Sequence, residues 1–142
     1  MIISAGADHG GFELKDKLVG FLREKGFKVI DNGTNSPDSV DYPDYAKAVA
    51  HDILEKRADF GLLVCGSGIG ISIAANRFKG IRAALVTNSD HARLSREHNN
   101  ANVIALGGRF TSFEDAAKWL EIFLSTPFEG GRHERRIAKL DE

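Results

Sequence analysis

The feature that most constrains this chain is a repeated alternation. Short runs rich in β-branched and apolar residues are each followed by a stretch whose apolar residues recur at helical spacing. Strands separated by helices do not form hairpins; they pair in parallel, with the helices crossing over the two faces of the sheet. Five runs read as strands: Ile2 to Ala7, Lys28 to Asp31, Phe60 to Cys65, Ile81 to Val86 and Asn102 to Leu106. The fold class is therefore α/β, a three-layer sandwich around a five-stranded parallel sheet.

Between the first two strands, Phe12, Leu14, Leu18 and Leu22, with Val19 and Phe21 beside them, form a broad apolar stripe that stops at Gly26, a residue suited to a helix C-cap. Tyr45 to Lys56 repeats the pattern, Gly70 to Phe78 is short, and Ser89 to His98 and Phe113 to Leu124 complete the set. The stretch Asn32 to Pro43, with Gly33, Pro37 and several Asn, Asp and Ser residues, reads as a loop. After Pro127, Gly130 and Gly131 comes a basic helix, Arg132 to Leu140, too polar to fill a core and expected to dock on a neighbouring subunit. No repeat or second domain is visible. A chain of 142 residues forms one domain and buries about 70% of the surface it exposes when unfolded.

Composition excludes several classes of function. A formal net charge of −1 lacks the basic field that nucleic-acid binding draws on. The apolar runs fall far short of the roughly 20 residues of a membrane helix, so no membrane partner is expected. The N-terminus has no basic flank and reaches Asp8 too soon for a secretory signal, which points to the cytoplasm. A single cysteine cannot close an internal disulfide, so Cys65 is a packed thiol, an unpaired surface thiol or a reactive one.

In open parallel sheets ligands bind beyond the carboxyl ends of the strands, where loop amides and helix N-termini point. Asp8 and His9 follow the first strand, Asp41 follows the second, Cys65 to Gly70 follow the third and Arg109 follows the fifth. The Cys65-Gly66-Ser67-Gly68-Ile69-Gly70 turn fits neither a dinucleotide fingerprint nor a P-loop, because position 71 is Ile and no Gly-Lys-Ser/Thr follows. Taken alone it is either a tight βα turn or an anion cradle, and Cys65 is either a small core residue or, beside a helix start and within reach of Ser67, a base. His98 and Asn99 end a helix just before the fifth strand, so they reach such a site from that side or from a neighbouring subunit. Arg132 and Arg136 lie one helical turn apart, placed to grip one phosphate or to form a solvated tail. The histidines show no metal-ligand spacing, and no metal is expected.

Together the motifs Ala7-Asp8-His9-Gly10-Gly11-Phe12, Asp41-Tyr42-Pro43, Cys65 through Asn76, Ser95-Arg96-Glu97-His98-Asn99 and Gly130-Gly131-Arg132-His133 resemble the ribose/galactose isomerase family, in particular its type B ribose-5-phosphate isomerases. The resemblance implies a Rossmann-like sheet of order 2-1-3-5-4, a homodimer or homotetramer with active sites at the dimer interface, and neither metal nor organic cofactor. It implies that Cys65 is the proton-transferring base and His98 the ring-opening acid. Ser67 then assists the thiol and Asp41 relays protons. Asp8, His9, Asn99 and the segment Gly66, Ser67, Gly68, Ile69 and Gly70 become substrate contacts, and Arg109, Arg132 and Arg136 the sugar and phosphate binders. Ile71 stands where some family members carry a glutamate base, which places this chain with the cysteine subgroup.

The implied substrate is a sugar phosphate, D-ribose 5-phosphate, converted to D-ribulose 5-phosphate in the non-oxidative pentose phosphate pathway. The residues themselves agree, since aldose-ketose isomerisation needs a base, enediolate donors, a ring-opening acid and a phosphate anchor. Two alternatives stand beside this reading: an isomerase of allose or galactose 6-phosphate, and a noncatalytic phosphate-binding module.

Overall fold

In the computed structural model, which describes residues 1–142, the order of elements is β1 (Ile2–Ala7), α1 (Phe12–Glu24), β2 (Lys28–Asp31), α2 (Tyr42–Leu54), β3 (Phe60–Cys65), α3 (Ile69–Ala75), β4 (Ala83–Leu85), α4 (Ser89–Glu97), β5 (Val103–Gly107), α5 (Phe113–Ser125) and α6 (Arg132–Ala138), closed by a 3-10 turn at Lys139–Asp141. The sheet is parallel throughout, in the order β2-β1-β3-β5-β4. The expected fold class and strand order are both met. No helix is long and apolar enough to cross a membrane.

Side-chain alternation along β3 divides the core into two layers. Leu62 and Val64 face the cluster built with α1, α4 and α5, whereas Leu63 and Cys65 face the smaller cluster built with α2 and α3. The first helix ends as its sequence requires. Gly26 adopts φ 92°, its N–H bonds to the Arg23 carbonyl, and the Phe27 N–H bonds to that of Leu22, the double closure of a Schellman motif.

Several element boundaries differ from the sequence reading; α3 runs Ile69–Ala75 rather than Gly70 to Phe78, and α6 ends at Ala138 rather than Leu140. Helix α2 starts at Tyr42 rather than Tyr45, with Pro43 inside its first turn, where a missing N–H costs nothing. Strand β4 keeps only Ala83–Leu85, although the Val86 N–H beyond it still bonds to the Ala105 carbonyl at 3.0 Å. Asn102 Oδ1 accepts from the Arg82 N–H at 2.8 Å, and Asn76 bonds both the N–H and the carbonyl of Ala83. Strand β5 begins one residue later than expected and extends to Gly107.

Two buried polar networks hold the long loop after β2. Lys15, fully buried, donates to Asp31 at 2.8 Å and Asn35 at 3.1 Å and pairs with Asp16 at 2.7 Å. Asp52 accepts from Ser4 at 2.7 Å, Asn32 at 3.0 Å and Arg57 at 2.9 Å. Burial pushes the Asp52 carboxyl up, but these hydrogen bonds and the Arg57 charge outweigh it and hold the group below its ordinary value. The loop is thereby fixed to α1, β1 and α2 before it delivers Val40 and Asp41 to the end of the sheet.

A candidate active site in two halves

The first half surrounds Cys65 at the carboxyl end of β3. Its Sγ, in a residue only 4% exposed, accepts a hydrogen bond from the Gly68 N–H at 3.1 Å, a geometry suited to holding a thiolate. Gly68 reaches this position at φ 79°, and a Cβ there would lie 2.6 Å from Leu85 Cδ1 and 2.8 Å from the Leu106 carbonyl carbon. Both the conformation and the space demand glycine. The Ser67 hydroxyl, expected beside the sulfur, instead accepts from the Ile69 N–H at 3.2 Å. The amide of Gly68 occupies the place that the sequence reading assigned to Ser67.

Around this turn the other strand ends converge. Gly108 N–H bonds to the Cys65 carbonyl at 2.8 Å and Arg109 N–H to that of Gly66 at 3.0 Å, so the loop after β5 is fastened to the cysteine loop. The Arg109 guanidinium folds over it, close enough that a Cβ on Gly66 would fall 2.9 Å from Nη1. Asp8, 7% exposed, turns its carboxylate on the Gly10 N–H at 2.9 Å. His9 Nδ1 accepts from the Val40 N–H at 3.2 Å, so a neutral ring carries its proton on Nε2. Asp41 is exposed at the N-cap of α2, and its side chain makes no capping bond. The ring of Tyr42 lies against Gly70, where a Cβ would meet Cζ at 2.7 Å. Tyr42 was not among the residues expected from sequence, although it sits in the Asp41-Tyr42-Pro43 motif. Ile71 is fully buried on α3 and takes no part in the site.

The second half lies at the opposite end of the sheet. His98 follows α4, and the chain enters β5 at Val103, which pairs with Gly61, whereas Cys65 pairs with Gly107. Four residue steps of strand are about 13 Å, more than a cysteine and a histidine can bridge around one sugar. Here His98, Asn99, His133, Arg136, Ile137 and Leu140 line a cavity of about 300 Å³. Arg132 and Arg136 are both exposed on α6, and α6 is held to its own chain by the His133 stack and by the Gly80 N–H bond to Asp141 at 2.9 Å. Arg96 fixes the turn before β5, donating to Ala101 at 2.6 Å and packing 4.9 Å from the Phe60 ring. Burial lowers its affinity for the proton, and Arg82 adds to this.

His98 stacks on His133 with ring centroids 4.4 Å apart and planes 15° from parallel. Burial first, then the charges of His98 and Arg132, push the His133 imidazole below its ordinary value. His98, Glu129 and His133 each place one potential ligand atom within 4.8 Å of the others, a cluster not visible in the sequence spacing. Near-parallel rings aim their lone pairs side by side rather than at one point, a poor start for tetrahedral coordination. A cavity of about 580 Å³ runs beside the edge strand β4 between Phe78, Arg82, Ser95 and Asn99, and Cys65 does not line it.

Residues 3–140 match the family described as Ribose/Galactose Isomerase. The chain is 47% identical over 138 residues to ribose-5-phosphate isomerase B of Escherichia coli, covering 97% of this chain and 93% of the relative. Among solved structures, a ribose 5-phosphate isomerase of Thermotoga maritima superposes with a TM-score of 0.98 at 57% identity, covering 99% of this chain and 97% of the other. The type B ribose 5-phosphate isomerase of Trypanosoma brucei does so with a TM-score of 0.94 at 45% identity, covering 99% and 96%.

Proposed function

The chain belongs to the ribose/galactose isomerase family, and we propose that it interconverts D-ribose 5-phosphate and D-ribulose 5-phosphate in a site shared between two copies of itself. The observation that carries the reading is Cys65, whose sulfur meets the Gly68 amide at 3.1 Å at the mouth of a loop whose backbone can receive an anion. The family's known relatives named above are ribose 5-phosphate isomerases, which supports the pentose as substrate.

The second copy is needed because base and acid stand at opposite ends of one sheet. One protomer supplies Cys65, Asp8, His9, Asp41, Arg109 and the amides of Gly66 to Gly70. Its partner supplies a copy of the other half: His98, Asn99, Arg132 and Arg136. Ile69 and Ile73, 53% and 60% exposed, lie one turn apart on α3 beside the cysteine loop, an apolar face suited to cover by the second chain. The C-terminal helix docks there together with the phosphate grip. The 142 residues act as one isomerase domain, in a homodimer or a tetramer of such dimers. A working thiol suits a reducing compartment, which supports the cytoplasm.

Reaction starts with the furanose. His98 gives a proton to the ring oxygen as the bond from C1 to that oxygen breaks, and the C1 hydroxyl gives its proton to solvent water, which leaves the open aldehyde and from which His98 is reprotonated. The Cys65 thiolate removes the C2 proton, and the electron pair forms the C1–C2 double bond while charge collects on O1. Loop amides stabilise that charge. Asp41 carries the O2 proton to O1, and Cys65 returns its proton to C1, giving the ketone at C2. Ser67, exposed at the loop, contacts a sugar hydroxyl rather than the sulfur. Arg132 and Arg136 hold the phosphate, so that remote binding energy positions C1 and C2.

The test is conversion of ribose 5-phosphate by wild-type and Cys65→Ala protein, with allose 6-phosphate run in parallel. Turnover of the pentose that disappears in the variant, with substrate binding kept, is the expected result. Turnover of the hexose alone would move the substrate class, and turnover of neither would leave a phosphate-binding module.

A further inference from the structure

We propose that Glu129 is a positioning residue for His98: its carboxylate and the stacked His133 ring fix the imidazole so that Nε2 faces Glu129 and Nδ1 is left to exchange protons with the sugar. This rests on reading His98 as the ring-opening acid.

The loop that carries Glu129 is fastened to the helix that carries His98. The Glu129 N–H bonds to the Glu97 carbonyl at 3.1 Å, which sets the carboxylate beside the next residue, His98. Oε1 lies 3.4 Å from His98 Nε2 and 3.8 Å from His133 Nε2. A carboxylate accepts only, so it selects the ring orientation with Nε2–H turned toward it. The other face of the imidazole is taken by His133, parallel within 15° at 4.4 Å, which prevents the ring from swinging away. His133 is 7% exposed and its Nε2 has no hydrogen-bond partner, an arrangement that natural cores rarely keep without a use. Buried among His98, Arg132 and Arg136, that ring favours the neutral form, which leaves the Glu129 charge to His98.

The role can be separated from the chemistry at Cys65 because the two sugars differ in form. Ribose 5-phosphate closes to a furanose through its 4-hydroxyl and must be opened. Ribulose 5-phosphate, with its carbonyl at C2 and its 5-hydroxyl blocked, has no five-membered ring to close. Exchange of its C1 hydrogen with solvent deuterium therefore needs the thiolate but not the ring-opening acid. The experiment compares wild-type, Glu129→Gln and His98→Asn proteins in both reactions. For Glu129→Gln the expectation is a fall in kcat for ribose 5-phosphate of about tenfold with KM within about twofold, and deuterium exchange into ribulose 5-phosphate at the wild-type rate. His98→Asn gives the same split with a larger fall. Equal losses in both reactions would assign Glu129 to folding or phosphate binding, and unchanged turnover would remove it from the site; either overturns the proposal. Wild-type protein inactive in both reactions would refute the isomerase reading itself.

Discussion

Replacing Gly68 by alanine puts the geometry of the cysteine loop to a quantitative test. An alanine at φ 79° occupies the left-handed region, at a cost of about 1–2 kcal/mol. Its Cβ would also sit 2.6 Å from Leu85 Cδ1, 2.8 Å from the Leu106 carbonyl carbon and 3.0 Å from the Gly107 nitrogen. Leucine can shift, but the backbone of β5, paired on both sides with β3 and β4, yields little, so overpacking adds about 1–3 kcal/mol. The sum is about 3 kcal/mol, or about 10 °C in Tm for a domain of this size. Gly26→Ala is the control, since Gly26 has φ 92° with nothing within 4 Å of its Cβ position and incurs the backbone cost alone. Urea titration of the two variants gives the difference directly. Relief of the clash moves the Gly68 amide off the sulfur, and a displacement near 1 Å lowers kcat about 100-fold. A Gly68→Ala protein no less stable than Gly26→Ala, or one that keeps its kcat, would refute this reasoning.

Other perturbations follow from the buried network and the anion grip. Asp52→Ala leaves Ser4 and Asn32 without their acceptor and destabilises the fold by about 3 kcal/mol, measured by thermal melting. Because the folded carboxyl titrates below its unfolded value of 3.8, Asp52 contributes stability above that pH and loses it as the pH falls through the lower folded value. Asp52→Asn should therefore flatten the acid limb of a stability-versus-pH curve. Arg136→Gln should raise KM by about 10- to 100-fold, the worth of a charged hydrogen bond, and lower kcat as well, because the phosphate grip also positions C1 and C2, as steady-state kinetics will register.

The parallel sheet was legible because each of the runs Ile2 to Ala7, Phe60 to Cys65 and the rest is followed by a helical period, and the strand ends then named Asp8, His9, Cys65 and Arg109 together. Periodicity could not place the start of α2, since Pro43 reads equally as a loop breaker or as a first-turn residue. Nor could it foresee that the side chains of Asn102 and Asn76 would take backbone groups at the start of the edge strand, at Arg82 and Ala83. The partner of the sulfur was misjudged for a local reason. In so tight a turn the Ser67 hydroxyl reaches its own chain two residues on, at Ile69, while the backbone N–H three residues beyond the cysteine reaches the sulfur. The association of His98 with Glu129 and His133 is a tertiary contact across the turn after α5, and no spacing rule encodes it.

The shared site is tested most directly by complementation between two inactive chains. Cys65→Ala and His98→Asn proteins are unfolded, mixed in equal amounts and refolded together, and ribose 5-phosphate turnover is measured against each variant refolded alone. If cysteine and histidine come from different subunits, half the sites have an intact cysteine and half of those an intact histidine, so the mixture recovers about a quarter of wild-type activity. If both groups of one site belong to the same chain, every site lacks one of them, and a mixture as inactive as its parents would contradict the account.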